Sequence, residues 1–314
     1  MGKSLKFKRP RGGIQKRRPG GAAANVPAVV SGGESEQESE QAAEISSGQI
    51  SEDLGAAEAD KRERGAVLAA GVAAAGRGGL RVLMRKGILA RLPPLLADNS
   101  AAVRRAVASA LRAAGDQGGD AAHAAIVKAN VMPSLLGALT YHPAIAPHLP
   151  APHQPPAGWE PDAADESVLC QLLDMLWEVC ECSSAAVESF NGHGLHLLFP
   201  LVHFITPASC AALPKVASAA VQCLHVLTEE NQAVCEALCS QPILLGAIQA
   251  AVSQEGSSPI VAVLSLGTLV NLGPSAHRPD MASTMQAVLS AALSHDHVGS
   301  SRAMVGGGGG GEEG

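Results

Sequence analysis

The stretch Leu176-Trp177-Glu178-Val179-Cys180-Glu181-Cys182-Ser183-Ser184 decides the fold. It closes a segment in which Leu169, Leu172, Leu173, Leu176, Val179 and Cys180 recur at three- and four-residue spacing, the pattern of a helix with one buried face. Its core returns in diverged form as Leu224-His225-Val226-Leu227-Thr228 and Leu269-Val270-Asn271-Leu272-Gly273. A weaker copy, Leu111-Arg112-Ala113-Ala114-Gly115, precedes it. The leading leucines stand at 111, 176, 224 and 269, so the steps are 65, 48 and 45 residues. The first step holds a Pro/His-rich insert, 141–163, of 23 residues, and without it the step is 42.

A helical period of about 40–47 residues is the mark of HEAT or armadillo repeats. One such unit cannot bury its apolar face alone, so units stack into a solenoid whose concave side binds another chain. The sequence therefore predicts an all-α fold, an armadillo/HEAT-type right-handed superhelical solenoid. The expected domains are a disordered basic tail (1–55), the repeat domain (56–297, with 141–163 as an exposed loop) and a Gly-rich disordered tail (298–314). Composition agrees: of 314 residues 46% are hydrophobic but only 2% aromatic, and the Ala, Leu and Val that supply the apolar content suit helices better than sheets. No uncharged apolar run has the length and flanks of a membrane span, and the first 30 residues lack the apolar core of a secretory signal. Position six is Lys6 rather than Ser or Thr, which fails the myristoylation pattern.

Helical patterning begins near Ala56, with one helix expected over 60–76. The run 85–96 reads as the last helix of a unit, with Asp98-Asn99-Ser100 as the turn and cap of the next. Further units are expected at 164–206, opened by Asp165-Glu166 at the positive helix end, and at 212–252 and 258–296. Seven prolines exclude helix interior from 141–163. The C-terminus shows no clear polar terminal cap, which suggests a fragment of a longer array.

Charge is zoned. Residues 1–20 hold eight basic residues and no acid, 61–140 hold twelve basic and four acidic, and 161–314 hold three basic and fifteen acidic. A solenoid with one strongly acidic half suggests a basic ligand. The basic cluster at the N-terminus (Lys6, Lys8, Arg9, Arg11, Lys16, Arg17, Arg18) reads as an exposed segment for an acidic partner, and predicts a nuclear-localisation signal. RNA, an anionic membrane or an organelle import machinery are the competing readings; the Gly and Pro content spoils the amphipathic helix that a transit peptide needs.

Catalytic signatures are not found: no G-x-S-x-G, no P-loop, no H-E-x-x-H and no dinucleotide fingerprint between strand and helix. Seven cysteines form no C-x2-C pair, which predicts reduced, partly buried thiols. His142, His148 and His153 fit no standard metal spacing, and no cofactor is expected. The sharper signal is acidic. Asp174, Glu178 and Glu181, at i, i+4 and i+7, share one helix face, either lining the ligand groove or facing bulk solvent. Asn271 stands in the fourth copy where Glu178 stands in the second, and is similar to the asparagine that grips a peptide backbone in armadillo ladders. Trp177 belongs either to the core or to the edge of that binding surface.

The block 176–184 followed by Ala186-Val187 and Phe190-Asn191, together with Cys223-Leu224-His225-Val226-Leu227-Thr228-Glu229-Glu230-Asn231 and the opening Met1-Gly2-Lys3-Ser4 with Phe7-Lys8-Arg9-Pro10, resembles the symportin family, also called HEAT-repeat-containing protein three. The resemblance covers residues 1–10 and, with gaps, about 85–275. It implies a nuclear-import chaperone that shuttles between cytoplasm and nucleus. Its partners would be the ribosomal proteins that bind 5S ribosomal RNA and a karyopherin import receptor, with no direct nucleic acid and no membrane, the carrier acting as a monomer. In that family armadillo units are followed by an acidic loop and HEAT units; this chain ends at Gly314 without them, and no Pro-Tyr dipeptide follows its basic cluster. A generic armadillo adaptor is the alternative.

Overall fold

The structure is a computed structural model that describes residues 34–162, 166–253 and 259–272. Among these residues every regular element is helical. The thirteen α-helices are α1 (Glu34–Leu54), α2 (Ala59–Ala74), α3 (Arg77–Arg85), α4 (Ala101–Lys128), α5 (Val131–Thr140), α6 (Glu166–Cys182), α7 (Ser184–His193), α8 (Leu198–Phe204), α9 (Pro207–Ala212), α10 (Pro214–Thr228), α11 (Gln232–Cys239), α12 (Pro242–Ser253) and α13 (Pro259–Leu272). No single helix among them is long and apolar enough to cross a membrane.

One set of helices packs in succession, α2 on α4, α4 on α6, α6 on α10 and α10 on α13, and forms a ladder along the array. The remaining helices pack on these and on one another as a second layer. The four sequence copies end the four helices α4, α6, α10 and α13, or, in α4, the part before its break. A single continuous core runs through all units. The predicted stripe of α6, Leu169, Leu172, Leu173, Leu176, Val179 and Cys180, is wholly buried in it. Ser183 explains the end of the opening motif. Its backbone is extended and its hydroxyl accepts from the Ala186 amide at 3.3 Å, which caps α7 and forces the turn after α6.

Polar ties repeat between units. Asn191 of α7 and Asn231 before α11 exchange amide hydrogen bonds of 3.0 and 2.9 Å. The Cys223 thiol donates to the Leu173 carbonyl at 3.1 Å, joining α10 to α6. All seven cysteines are free thiols, three of them (Cys180, Cys223, Cys235) buried.

Three sequence expectations are corrected. Residues 34–54 are not a disordered linker: they form α1, which seats Ala43, Ile50 and Leu54 against α2 and α3. The acidic run that suggested disorder supplies the outer face of this helix, where Glu36 meets Arg81, Glu40 and Glu44 meet Arg85, and Glu44 meets Lys86. Residues 85–96 are not one helix. Helix α3 stops at Arg85, just before Gly87 with its φ of +69°, and only 3-10 turns follow at Leu89–Arg91 and Pro93–Ala97, where Pro93-Pro94 lacks two backbone donors.

The insert 141–163 is not simply an exposed loop. His142, Ile145 and Asp162 are buried. Its far end clamps the start of α4: Arg104, only 3% exposed, pairs with Asp162 at 3.0 Å and donates to the carbonyls of Asp98, Asn99 and Glu160. The Trp159 ring lies 3.8 Å under its guanidinium. Glu160 accepts from the Ala101 amide at 3.1 Å and so takes the capping role expected of the Ser100 hydroxyl, which makes no such bond.

The basic segment (Lys6 to Arg18), Asp165, the last part of the fourth unit and the Gly-rich tail lie outside the described residues.

Candidate functional site: an acidic cleft between α4 and α6

Helix α4 breaks at Gly119, whose φ of +50° and ψ of −137° suit glycine and strain other residues. The break turns 120–128 across the end of α6 and opens a cleft of about 780 Å³. Asp120, His123 and Lys128 line it from α4, and Trp177, Glu178, Glu181 and Cys182 from α6. Trp177 is half-buried against the core and presents the rest of its ring to the cleft. Glu181 and Asp120 are exposed there.

Glu178 is only 12% exposed at its side chain, and its Oε2 lies 3.0 Å from His123 Nε2. The pair sits over Gly115. A Cβ at that position would stand 2.7 Å from His123 Nε2 and 3.2 Å from Glu178 Oε2.

The predicted acidic face is therefore divided. Asp174 lies one turn back and is engaged by Arg112 of α4, which also binds Asp116 at 3.2 Å. Burial works against the Arg112 charge, but Asp174, Asp116 and Glu178 outweigh it and hold its pKa above the ordinary value. Asp174 lines a second, polar cleft with Lys215 and Cys170 rather than the first. Only Trp177, Glu178 and Glu181 of the predicted set share the main cleft.

Asn271 stands farther along the ladder. Its amide donates to the Thr228 hydroxyl at 3.1 Å and to the His225 carbonyl at 3.4 Å, so both of its N–H groups are spent on the end of α10. The column shared by Glu178 and Asn271 bridges each unit to the one before it. Sequence reasoning missed Asp120 and His123, because the break at Gly119 has no counterpart in the other copies; the Gly118-Gly119 pair inside a helical run was the available signal.

The thiols report the field. Burial raises the Cys182 pKa, and Asp120, Glu181 and Glu178 raise it further. In the second cleft Cys170 is pushed to about 11 by burial first, then by Asp174 and Glu166. Both thiols stay protonated at neutral pH, the reverse of an activated nucleophile. What the main cleft offers is a place for a cation: the carboxylates of Asp120, Glu178 and Glu181 outnumber the one lysine, Lys128, and the Trp177 ring lies beside them.

No protein-family model matches the chain. It is 31% identical to mouse HEAT repeat-containing protein 3 over 156 residues, which is 48% of this chain and 21% of that protein. To the human HEAT repeat-containing protein 3 it is 29% identical over 194 residues, 60% of this chain and 27% of that one. The matches thus span about a quarter of the relatives' own length.

Among solved structures, a designed armadillo repeat protein superposes with a TM-score of 0.53 at 15% identity, covering 78% of this chain and 98% of that one. Another, in complex with the peptide (KR)4, gives 0.52 at 16%, with 78% and 98% covered. A chain from a structure concerning the phosphorylation switch between cadherin and beta-catenin gives 0.55 at 17%, with 82% and 49% covered. Identities this low carry the fold alone. The chain is an all-α armadillo/HEAT-type repeat protein similar, over about half its length, to HEAT repeat-containing protein 3, the symportin family.

Proposed function

We propose that this chain is a non-catalytic carrier that binds basic ribosomal proteins of the 5S ribonucleoprotein and couples them to a karyopherin for nuclear import. The observation that carries the reading is the negatively charged cleft between α4 and α6, with Trp177 as its wall and Asp120, Glu178 and Glu181 as its acids. A structural neighbour built on the same fold is described in complex with a Lys-Arg repeat peptide, so an armadillo array is a suitable frame for a cationic segment. Chemistry supplies the reason for a carrier: an unassembled rRNA-binding protein has dense positive charge that attracts stray RNA, and an acidic surface masks it.

Exposed charge pairs give only about 0–1 kcal/mol each, so the carboxylates steer and register the cargo while Trp177 anchors it. The segment Lys6 to Arg18 then recruits the import receptor, and the protein shuttles between cytoplasm and nucleus. A reporter fused to residues 1–20 accumulates in the nucleus on this reading; confinement to another organelle refutes it.

The cleft is tested with D120K/E181K, which reverses two exposed acids and spares the Asp174–Arg112 and Glu178–His123 bridges. Association with a purified 5S-associated ribosomal protein, followed by stopped flow, slows and loses its salt dependence. Unchanged rates at low and physiological salt, with the helical circular dichroism intact, overturn the assignment.

A further inference from the structure

The Pro/His-rich insert carries a feature that cargo binding does not use. Between its buried ends it reaches across to the next unit through two imidazole stacks. His148 lies on His203 of α8 with centroids 3.7 Å apart and planes at 19°. His153 lies on His196, in the 3-10 turn Leu195–Leu197, at 4.7 Å and 29°. In each stack one ring belongs to the loop and the other to the unit of α6 to α8, while the loop's far end is held by Arg104 at the start of α4.

We infer that the insert is a pH-sensitive brace between the α4–α5 unit and the α6–α8 unit, closed while its two imidazole stacks are neutral and released when both rings of a stack become charged.

The cavity at the His148–His203 stack supplies no counter-charge, so only solvent, which reaches His203 there and His153 in the other stack, answers a charged ring. His148 and His203 share a cavity of about 370 Å³ with Pro143 and Pro147 of the loop, Phe204 of α8 and Ala208 and Ser209 of α9; its lining holds no ionisable side chain besides the two imidazoles. His196 meets the Thr140 hydroxyl of α5 at 2.8 Å. Burial lowers its pKa most and His153 lowers it further, the His193 carbonyl at the end of α7 being the one opposing contact. Burial and then His148 lower His203 in the same way. The sign follows. His196 and His203, lowered in the closed state, are neutral there at pH values where they already take up protons once the loop has opened. Closure is therefore complete above the ordinary imidazole pKa of about 6.5. It is lost as the pH falls through the lower values held by His196 and His203.

The test uses the full chain and the double variant H148Q/H153Q, which alters only loop residues that half-face or face solvent. Hydrogen exchange of loop amides, corrected for intrinsic rates, is compared between about pH 7.5 and about pH 5.5, either side of the imidazole range. In the wild type, protection over residues 144–156 falls about tenfold. In the double variant the fall is smaller, because only the burial of His196 and His203, and no longer a facing imidazole, opposes their protonation. Proton NMR gives the second readout: H148Q raises the titration midpoint of His203, and H153Q raises that of His196. Equal loss of protection in wild type and variant, no loss in the wild type, or midpoints unmoved by the substitutions each overturn the brace.

Discussion

The two ends of this solenoid handle charge in opposite ways. In α1 to α4 many basic residues are answered from within: Arg62 by Asp98 at 2.7 Å, Arg64 by Asp53 at 2.6 Å, Arg81 by Glu36 at 3.3 Å, Lys86 by Glu44 at 2.9 Å and Arg104 by Asp162 at 3.0 Å. From 166 to 272 the sequence holds one basic residue, Lys215, against nine acidic ones. Asp174 and Glu178 reach back to Arg112 and His123 of α4, and the acids beyond them have no such supply of cations nearby in sequence. Net charge alone hides this. A chain of formal charge −6 contains a half whose charges are largely matched and a half with a strong acidic excess, and a basic partner meets the second together with Asp120 of α4.

The largest expected effect breaks the self-neutralised half at its most buried pair. Arg104→Ala strands the Asp162 carboxylate, 5% exposed at its side chain, and removes the ties to three carbonyls. Removing one partner of a buried pair costs about 3–5 kcal/mol, to be read as a fall in the denaturant midpoint together with exposure of Trp159 by fluorescence. Arg104→Met with Asp162→Leu loses less than Arg104→Ala, because no orphan charge remains. If the double variant is the weaker of the two, the clamp holds by something other than charge.

Next comes Ile50, fully buried under α1. Ile50→Ala removes apolar volume from a packed site and costs about 2–5 kcal/mol; selective loss of amide protection in α1 to α3, with α6 to α13 unchanged, is the expected pattern for a repeat array. Smaller again is Gly115→Ala. The new methyl drives His123 and Glu178 apart, an overpacking cost of about 1–3 kcal/mol. It also tests the acidic half, since a dislodged Glu178 alters cargo association while the distant α1 stays protected.

What could be read from the sequence follows local pattern. The α6 stripe, the repeat spacing and the α-solenoid were legible because buried leucines recur at helical spacing and each unit repeats the previous one. Residues 34–54 were not, since their acids signal solvation when read alone; their partners Arg81, Arg85 and Lys86 lie more than forty residues away. The Pro-rich insert was legible as a break in helix but not as a clamp, because Arg104, Trp159 and Asp162 share no local signature. At the site, the i, i+4, i+7 spacing groups Asp174, Glu178 and Glu181 along one side of α6, but their division, Asp174 to Arg112 and Glu181 to the cleft opened by the break at Gly119, has no local signal. Asn271 shows the same limit: its place in the repeat is read from the spacing, but not that its donors are used by Thr228 and His225.

The smallest expected effect separates the apolar anchor of α1 from its acidic face. Glu40 and Glu44 meet Arg85, and Glu44 also meets Lys86, on an exposed surface. Hydrogen bonding from Lys86, then from Arg85, lowers the Glu44 pKa below its usual 4.5. A carboxyl lowered in the folded state contributes stability above the unfolded value, and this is lost as the pH falls through the lower folded one. Docking of α1 should therefore be flat from neutral pH down to about the ordinary carboxylate pKa and weaken only below it. Solvent screens such pairs, with a Debye length of ~8 Å at physiological salt, so E40Q/E44Q should shift the melting temperature far less than Ile50→Ala and only at low salt. If E40Q/E44Q instead unseats α1 as completely as the loss of Ile50, charge rather than apolar burial holds the N-terminal end. The internal matching that distinguishes this half from the acidic half would then be the main source of its stability rather than a means of silencing its field.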